Sequence, residues 1–109
     1  MGTLDIGTVD GWWKVEGYKD LKVYQAAYEL ALRVHKTTDS FPKSEKYELG
    51  RQLRRAAFSV ALNLAEGYGR KRSQAEFANF VCMSMGSANE VAVLIDAVRD
   101  LGYLDADEH

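Results

Sequence analysis

The sequence predicts an all-α protein. It reads as an antiparallel up-down-up-down helical bundle with three long helices evident and the fourth truncated or missing. Three observations predict this class. Apolar residues recur at steps of three and four through three long stretches. Clusters of Gly, Pro, Ser and Asp separate the stretches. The last stretch opens on Ser73-Gln74-Ala75-Glu76, the pattern of a capping box. With 109 residues, the chain is one domain at most. That domain is expected over 19–109, behind a flexible leader over 1–18.

The leader carries Gly2, Gly7, Gly11 and Gly17, which argue against a helix. Trp12 and Trp13 lie among them and argue against full solvation, so either the two rings rest on the body or the segment serves a subunit contact. A first helix is expected over 20–37, with Asp20 as its N-cap. Val23, Ala27, Leu30 and Val34 form one stripe on it, and Leu21, Tyr24, Tyr28 and Ala31 form a second beside it. Such a face is wider than one antiparallel neighbour needs. Thr37-Thr38-Asp39-Ser40 breaks the pattern, and Phe41-Pro42 sets an extended entry to the next element.

A second helix is expected over 44–66. Leu49, Leu53, Ala56, Val60 and Leu64 keep its period, Ala57 and Ala61 allow a close neighbour, and Gly67 and Gly69 supply the stop. A third is expected over 74–101. Phe77, Val81, Ser84, Ala88, Val91, Ile95 and Val98 alternate steps of four and three, as bundle packing requires. Phe80, Met83, Ser87, Leu94 and Leu101 make a neighbouring stripe, and Gly102 ends the helix. The last residues, Tyr103 to His109, read as a helix start with no helix after it. Three antiparallel helices leave an open groove that a fourth, from this chain or a partner, must close.

Composition narrows the setting. No uninterrupted apolar run of 18 residues exists, so no membrane-spanning helix is expected, and the first residues lack the basic and apolar regions of a signal peptide. A single cysteine, Cys82, cannot form an internal disulfide, which fits a reducing, cytoplasmic setting. The net charge of −2 hides an asymmetry. Residues 1–42 carry −1, residues 43–72 carry +5 and residues 73–109 carry −6. Salt screens charges beyond about 8 Å, so the middle segment can attract a polyanion despite the acidic whole.

A set of residues in fixed order then carries a family resemblance. These are Lys19-Asp20-Leu21-Lys22-Val23-Tyr24, Phe41-Pro42, Tyr47-Glu48-Leu49, Gln52-Leu53-Arg54-Arg55-Ala56-Ala57, Ser59-Val60, Asn63-Leu64-Ala65-Glu66-Gly67 and Gly86-Ser87-Ala88-Asn89-Glu90. Over about 19–104 the chain resembles the small four-helix bundle proteins encoded in bacterial 23S ribosomal RNA intervening sequences. It is also similar to the accessory variability determinant of diversity-generating retroelements. The resemblance implies a ring, typically a homopentamer, a non-enzymatic role, and nucleic-acid binding through a basic surface in the retroelement branch. The chain departs from the pattern in its longer leader and its absent fourth helix.

Two basic groups are the candidate nucleic-acid site. Arg51, Arg54 and Arg55 lie on the second helix. Arg51 and Arg55 are a like-charge pair one turn apart, which costs a few tenths of a kcal/mol. Glu48 or a neighbouring subunit's carboxylate can offset that cost, or a phosphate can, since guanidinium binds oxyanions in two-point fashion. Arg70, Lys71 and Arg72 sit in a turn at a helix N-terminus, where side chains and free N–H groups both favour an anion, against the plain reading of solvated charge. Repetition around a ring would sum weak contacts. Asn63 reads as a buried polar residue fixing register or bonding a facing backbone, Ser59, Ser84 and Ser87 as small packing residues, and Cys82 as a buried thiol. Glu66, at the unfavourable end of the helix dipole, is expected to pair with Arg70 or cap the turn.

No catalytic residues, no metal site and no cofactor are expected. His35 and His109 stand away from Cys and from suitable acid pairs, no Glu-x-x-His occurs, and Asp105, Asp107 and Glu108 lack calcium-loop spacing. Gly67-Tyr68-Gly69 follows a helix and not a strand, so it is no phosphate loop. Two readings stay open: a homo-oligomer that binds nucleic acid, RNA before DNA, and a protein-interaction scaffold whose arginines serve subunit contacts. Neither calls for a membrane or a small-molecule substrate.

Overall fold

A computed structural model describes residues 17–104, so the leader expectation, Gly17 and Tyr18 apart, falls outside the described residues. A 3₁₀ turn at Tyr18–Asp20 leads into α1, Lys22–Thr38. The short α2, Lys43–Lys46, follows, then α3, Leu49–Gly69, and α4, Gln74–Asp100. The protein is all-α, and among the described residues no strand occurs. Helix α3 lies between α1 and α4 and packs along both. The expectation of a truncated or missing fourth helix concerns residues 103–109, of which 105–109 fall outside the described residues.

Helix α1 begins two residues later than the sequence suggests. Asp20 belongs to the 3₁₀ turn, and the N-cap is Leu21, with no side-chain cap bond. Leu21 is 1% exposed, so burial of its side chain decides where the helix starts. The buried face of α1 takes residues from both expected stripes, Ala27, Ala31 and Val34, and ends in Thr38. Tyr28 and Leu30 stay exposed.

The expected second helix is two helices. A turn at Tyr47 and Glu48 separates α2 from α3. Helix α3 then runs on through Gly67 to Gly69, beyond the expected stop. Gly67 serves packing instead of termination: it is buried, and a Cβ built on it would lie 3.0 Å from Phe80 Cβ of α4. The alanines act as expected. Ala56, Ala57 and Ala61 are at most 4% exposed and let α3 approach its neighbours closely.

Helix α4 keeps its expected start. Ser73 Oγ accepts the Glu76 N–H at 3.2 Å. The Glu76 carboxylate, the other half of a capping box, turns to Arg70. At the C-terminus Gly102 adopts φ +82°, Gly102 N–H donates to Arg99 O and Tyr103 N–H donates to Val98 O. That is the Schellman ending, and it needs the left-handed conformation that glycine adopts without strain. The buried line of α4 is Ser84, Val91, Leu94 and Val98. Ala88, placed in the seam by the heptad, is exposed, as are Met83 and Leu101. Cys82 is also exposed, not buried.

Two core clusters run along α3. One joins Ala31, Val34 and Phe41 to Leu53, Ala57, Val91 and Val98, and Tyr103 closes it with its ring 6.0 Å from Phe41. The other joins Leu21 and Ala27 to Val60, Ala61, Leu64 and Tyr68. By length and composition α4 is apolar enough to cross a membrane, with an 18-residue window of mean hydropathy 1.4. The expectation of no such helix rested on uninterrupted runs, which Asn, Ser and Glu break in α4. Only 17% of that window is buried, and Met83, Met85 and Val93 are its exposed large apolar side chains.

Candidate nucleic-acid interface

The turn between α3 and α4 holds three consecutive cations, and each has a different environment. Arg70 is tied down. It donates to Glu66 Oε2 at 3.1 Å and to Glu76 Oε1 at 2.9 Å, and its guanidinium lies 5.3 Å from the Phe80 ring centroid. The hydrogen bond to Glu76, then that to Glu66, raises its pKa above the ordinary value. The expected Glu66–Arg70 pair is therefore present. Together with Glu76 it latches the end of α3 to the first turn of α4. All three side chains are about half exposed, so water screens the latch.

Lys71 places its ammonium 3.8 Å from the Tyr68 ring centroid. A cation held on a ring face keeps its charge and is oriented by it. Arg72 is exposed and has no ion pair or hydrogen bond among the described residues. Lys71 and Arg72 thus present two uncompensated positive charges beside the N-terminus of α4, where the helix dipole adds to them.

The three arginines of α3 separate in the same way. Arg54 is half-buried: Nη1 donates to Thr38 Oγ1 at 3.0 Å and Nη2 to Lys46 O at 3.2 Å. It joins the end of α1, the end of α2 and the second turn of α3. Gly50 leaves room for it, since a Cβ there would lie 3.1 Å from Arg54 Nη1. Arg51 and Arg55 are exposed and have no polar partner among the described residues; the Glu48–Arg51 pair does not form.

Arg55 stands on a ridge between two grooves. One, about 420 Å³, runs between α1 and α3 and is lined by His35, Arg54, Arg55, Phe58, Ser59 and Leu62. The other, about 220 Å³, runs between α3 and α4 and is lined by Gln52, Arg55, Ala56, Ser59 and Glu90. The first groove is not anticipated by the sequence reading. Its signal was present: Phe58 and Leu62 lie off the buried stripe of α3, at steps of three and seven from Arg55.

A polar seam holds α3 to α4. Ser84 Oγ donates to Val60 O at 2.8 Å, and Ser87 Oγ to Ser59 Oγ at 2.8 Å. Asn63 is half-buried and bonds within its own helix, Nδ2 to Ser59 O at 2.9 Å. The residue that bonds a facing backbone is therefore Ser84, which by sequence reads as packing alone. Among the described residues no three of His, Cys, Asp and Glu come together as metal ligands.

The helical frame, the Asn63–Gly67 block and the adjacent arginines of α3 all belong to the segment that a family model recognises. A model for the 23S rRNA-intervening sequence protein matches residues 19–109. The chain belongs to that family. It is a family of small helical intervening-sequence proteins and not a known enzyme family. No curated protein matches the chain. Within this family member, the arginine-rich block that carries the resemblance thus serves two ends: Arg54 holds the fold, while Arg51 and Arg55 face solvent.

Proposed function

We propose that this 23S rRNA-intervening sequence family protein is a non-enzymatic homo-oligomer that binds nucleic acid, RNA before DNA, through the turn between α3 and α4. The observation that carries the reading is the pair Lys71 and Arg72, exposed and unneutralised beside a helix N-terminus. Arg70 drops out of the phosphate-binding set because two carboxylates already hold its donors. Two charges bind a polyanion weakly. A ring of copies, five as the family resemblance suggests, repeats them and turns weak contacts into useful affinity.

Support for self-association comes from apolar side chains that the three helices leave uncovered. Leu62 is 66% exposed, Val93 65% and Met85 61%. The scaffold reading draws on one specific observation: Arg55 borders the groove between α1 and α3, and Arg54 is consumed by the fold. It assigns the arginines of α3 to assembly and leaves the turn for phosphate.

A gel shift with single-stranded RNA at several salt concentrations tests the proposal. Wild type binds at 50 mM salt. The slope of log affinity against log salt becomes shallower by about 0.7 for each phosphate that the Lys71→Ala/Arg72→Ala variant no longer neutralises. Absence of wild-type binding at low salt, or an unchanged slope in the variant, overturns it.

A further inference from the structure

Three tyrosines form a ladder along one edge of the fold. The Tyr18 ring meets the Tyr24 ring edge-on at 4.9 Å, and the Tyr24 and Tyr28 rings stack 6.0 Å apart at an interplanar angle of 21°. Tyr24 and Tyr28 are about one turn apart on α1, which puts both side chains on one face. Burial accounts for only part of the ladder. Tyr18 and Tyr24 pack on the second core cluster, whereas Tyr28 is 44% exposed. Tyr24 therefore orients a ring that remains open to water, and a ring held in this way is pre-organised for a flat partner. The ladder stands at the end of the molecule that carries the unneutralised cations. The cluster beneath Tyr18 and Tyr24 includes Tyr68, and Lys71 lies over the Tyr68 ring. Lys19, next to Tyr18, is exposed, and its side chain has no ion pair or hydrogen bond among the described residues. From Lys22 to Tyr28, α1 carries no Asp or Glu.

We infer that the tyrosine edge of α1 is a stacking platform for unpaired bases, with Tyr28 as its outer ring, and that the nucleic acid taken is single-stranded. The inference rests on the proposed nucleic-acid binding and names the form of the ligand. Every base has an aromatic face that stacks on tyrosine, so the platform does not depend on sequence. A duplex keeps those faces stacked on one another and offers its phosphates alone. A single strand offers both groups. Lys71, Arg72 and Lys19 then hold its backbone, while Tyr28 holds a base. The exposure of Tyr28, which the core does not require, thus has a use that the cations of the turn cannot supply.

Filter binding in 50 mM salt tests this, with an unstructured single-stranded RNA and with the same strand annealed to its complement. Wild type prefers the single strand. Tyr28→Ala weakens single-strand binding about tenfold, the effect of losing one stacked base, and leaves duplex binding unchanged. Tyr28→Leu, which keeps bulk without an aromatic face, behaves as the alanine variant. Tyr28→Phe keeps the ring and the wild-type affinity. The slope of log affinity against log salt stays at the wild-type value in Tyr28→Ala, because a phenol neutralises no phosphate; in this it differs from Lys71→Ala/Arg72→Ala. Circular dichroism and light scattering accompany the titrations, and both helicity and mass stay at wild-type values because Tyr28 is exposed. Unchanged single-strand affinity in Tyr28→Ala, an equal loss on both RNA forms, or a wild type that prefers the duplex overturns the platform and leaves the proposed function standing. An altered mass places the ring in a subunit contact and overturns the platform too. A wild type that retains neither RNA overturns the proposed function itself.

Discussion

Replacing Arg54 by alanine separates the structural arginine of α3 from its two exposed neighbours. The side chain makes two charge-assisted hydrogen bonds, to Thr38 Oγ1 at 3.0 Å and to Lys46 O at 3.2 Å. Bonds from charged donors contribute about 1.5–3 kcal/mol each where burial is good. Thr38 is fully buried, but its own hydroxyl proton still bonds His35 O, so the threonine is not orphaned as a donor. The bond to Lys46 O is long and nearer solvent, which places it at the low end. A net loss of about 2–3 kcal/mol follows from these bonds. For a domain of this size it lowers Tm by roughly 8–20 °C. Thermal unfolding by circular dichroism reads the shift, and a gel shift at 50 mM salt on the still-folded protein reads RNA retention. We expect a large drop in Tm with retained binding. An unchanged Tm with abolished binding refutes the assignment, because it would put Arg54 on phosphate and not inside the fold.

Other perturbations follow from single positions. Gly67→Ala gains about 1 kcal/mol of helix propensity but sets a methyl 3.0 Å from Phe80 Cβ, so overpacking wins and denaturant titration shows a net loss of about 1–2 kcal/mol. Gly102→Ala forces a Cβ into a φ of +82° and costs about 1 kcal/mol, read as a lower denaturation midpoint. Ser73→Ala removes the only side-chain cap seen at an α-helix N-terminus among the described residues and costs about 1 kcal/mol, whereas Ser73→Asp keeps it.

The helices were legible in the sequence wherever burial and period agree. The alanines of α3 and the Ser73 cap and Gly102 stop of α4 act as their residue types suggest. The failures have local causes. Asp20 is a good N-cap by type, yet Leu21 must be buried, and a 3₁₀ turn delivers it. Gly67 looks like a helix stop, yet a glycine can equally serve a close crossing, and only the position of Phe80 distinguishes the two. Cys82 follows Val81 at the edge of a seam, and one step around the helix turns it to solvent. At the basic site the residue types were legible and their partners were not. Arg54 and Arg55 are adjacent and identical in sequence, but the 100° turn per residue sends one to Thr38 and the other to the surface.

The proposed function stands or falls on whether several copies of this chain together hold one RNA through exposed turn cations. Sedimentation of a labelled single-stranded RNA with the wild-type protein, in 50 mM and then 500 mM salt, decides it. At low salt the RNA should co-sediment with a species of several 12.2 kDa chains, and at high salt it should be released with the protein assembly intact. RNA that sediments free at 50 mM, or in company with a single chain, contradicts the proposal.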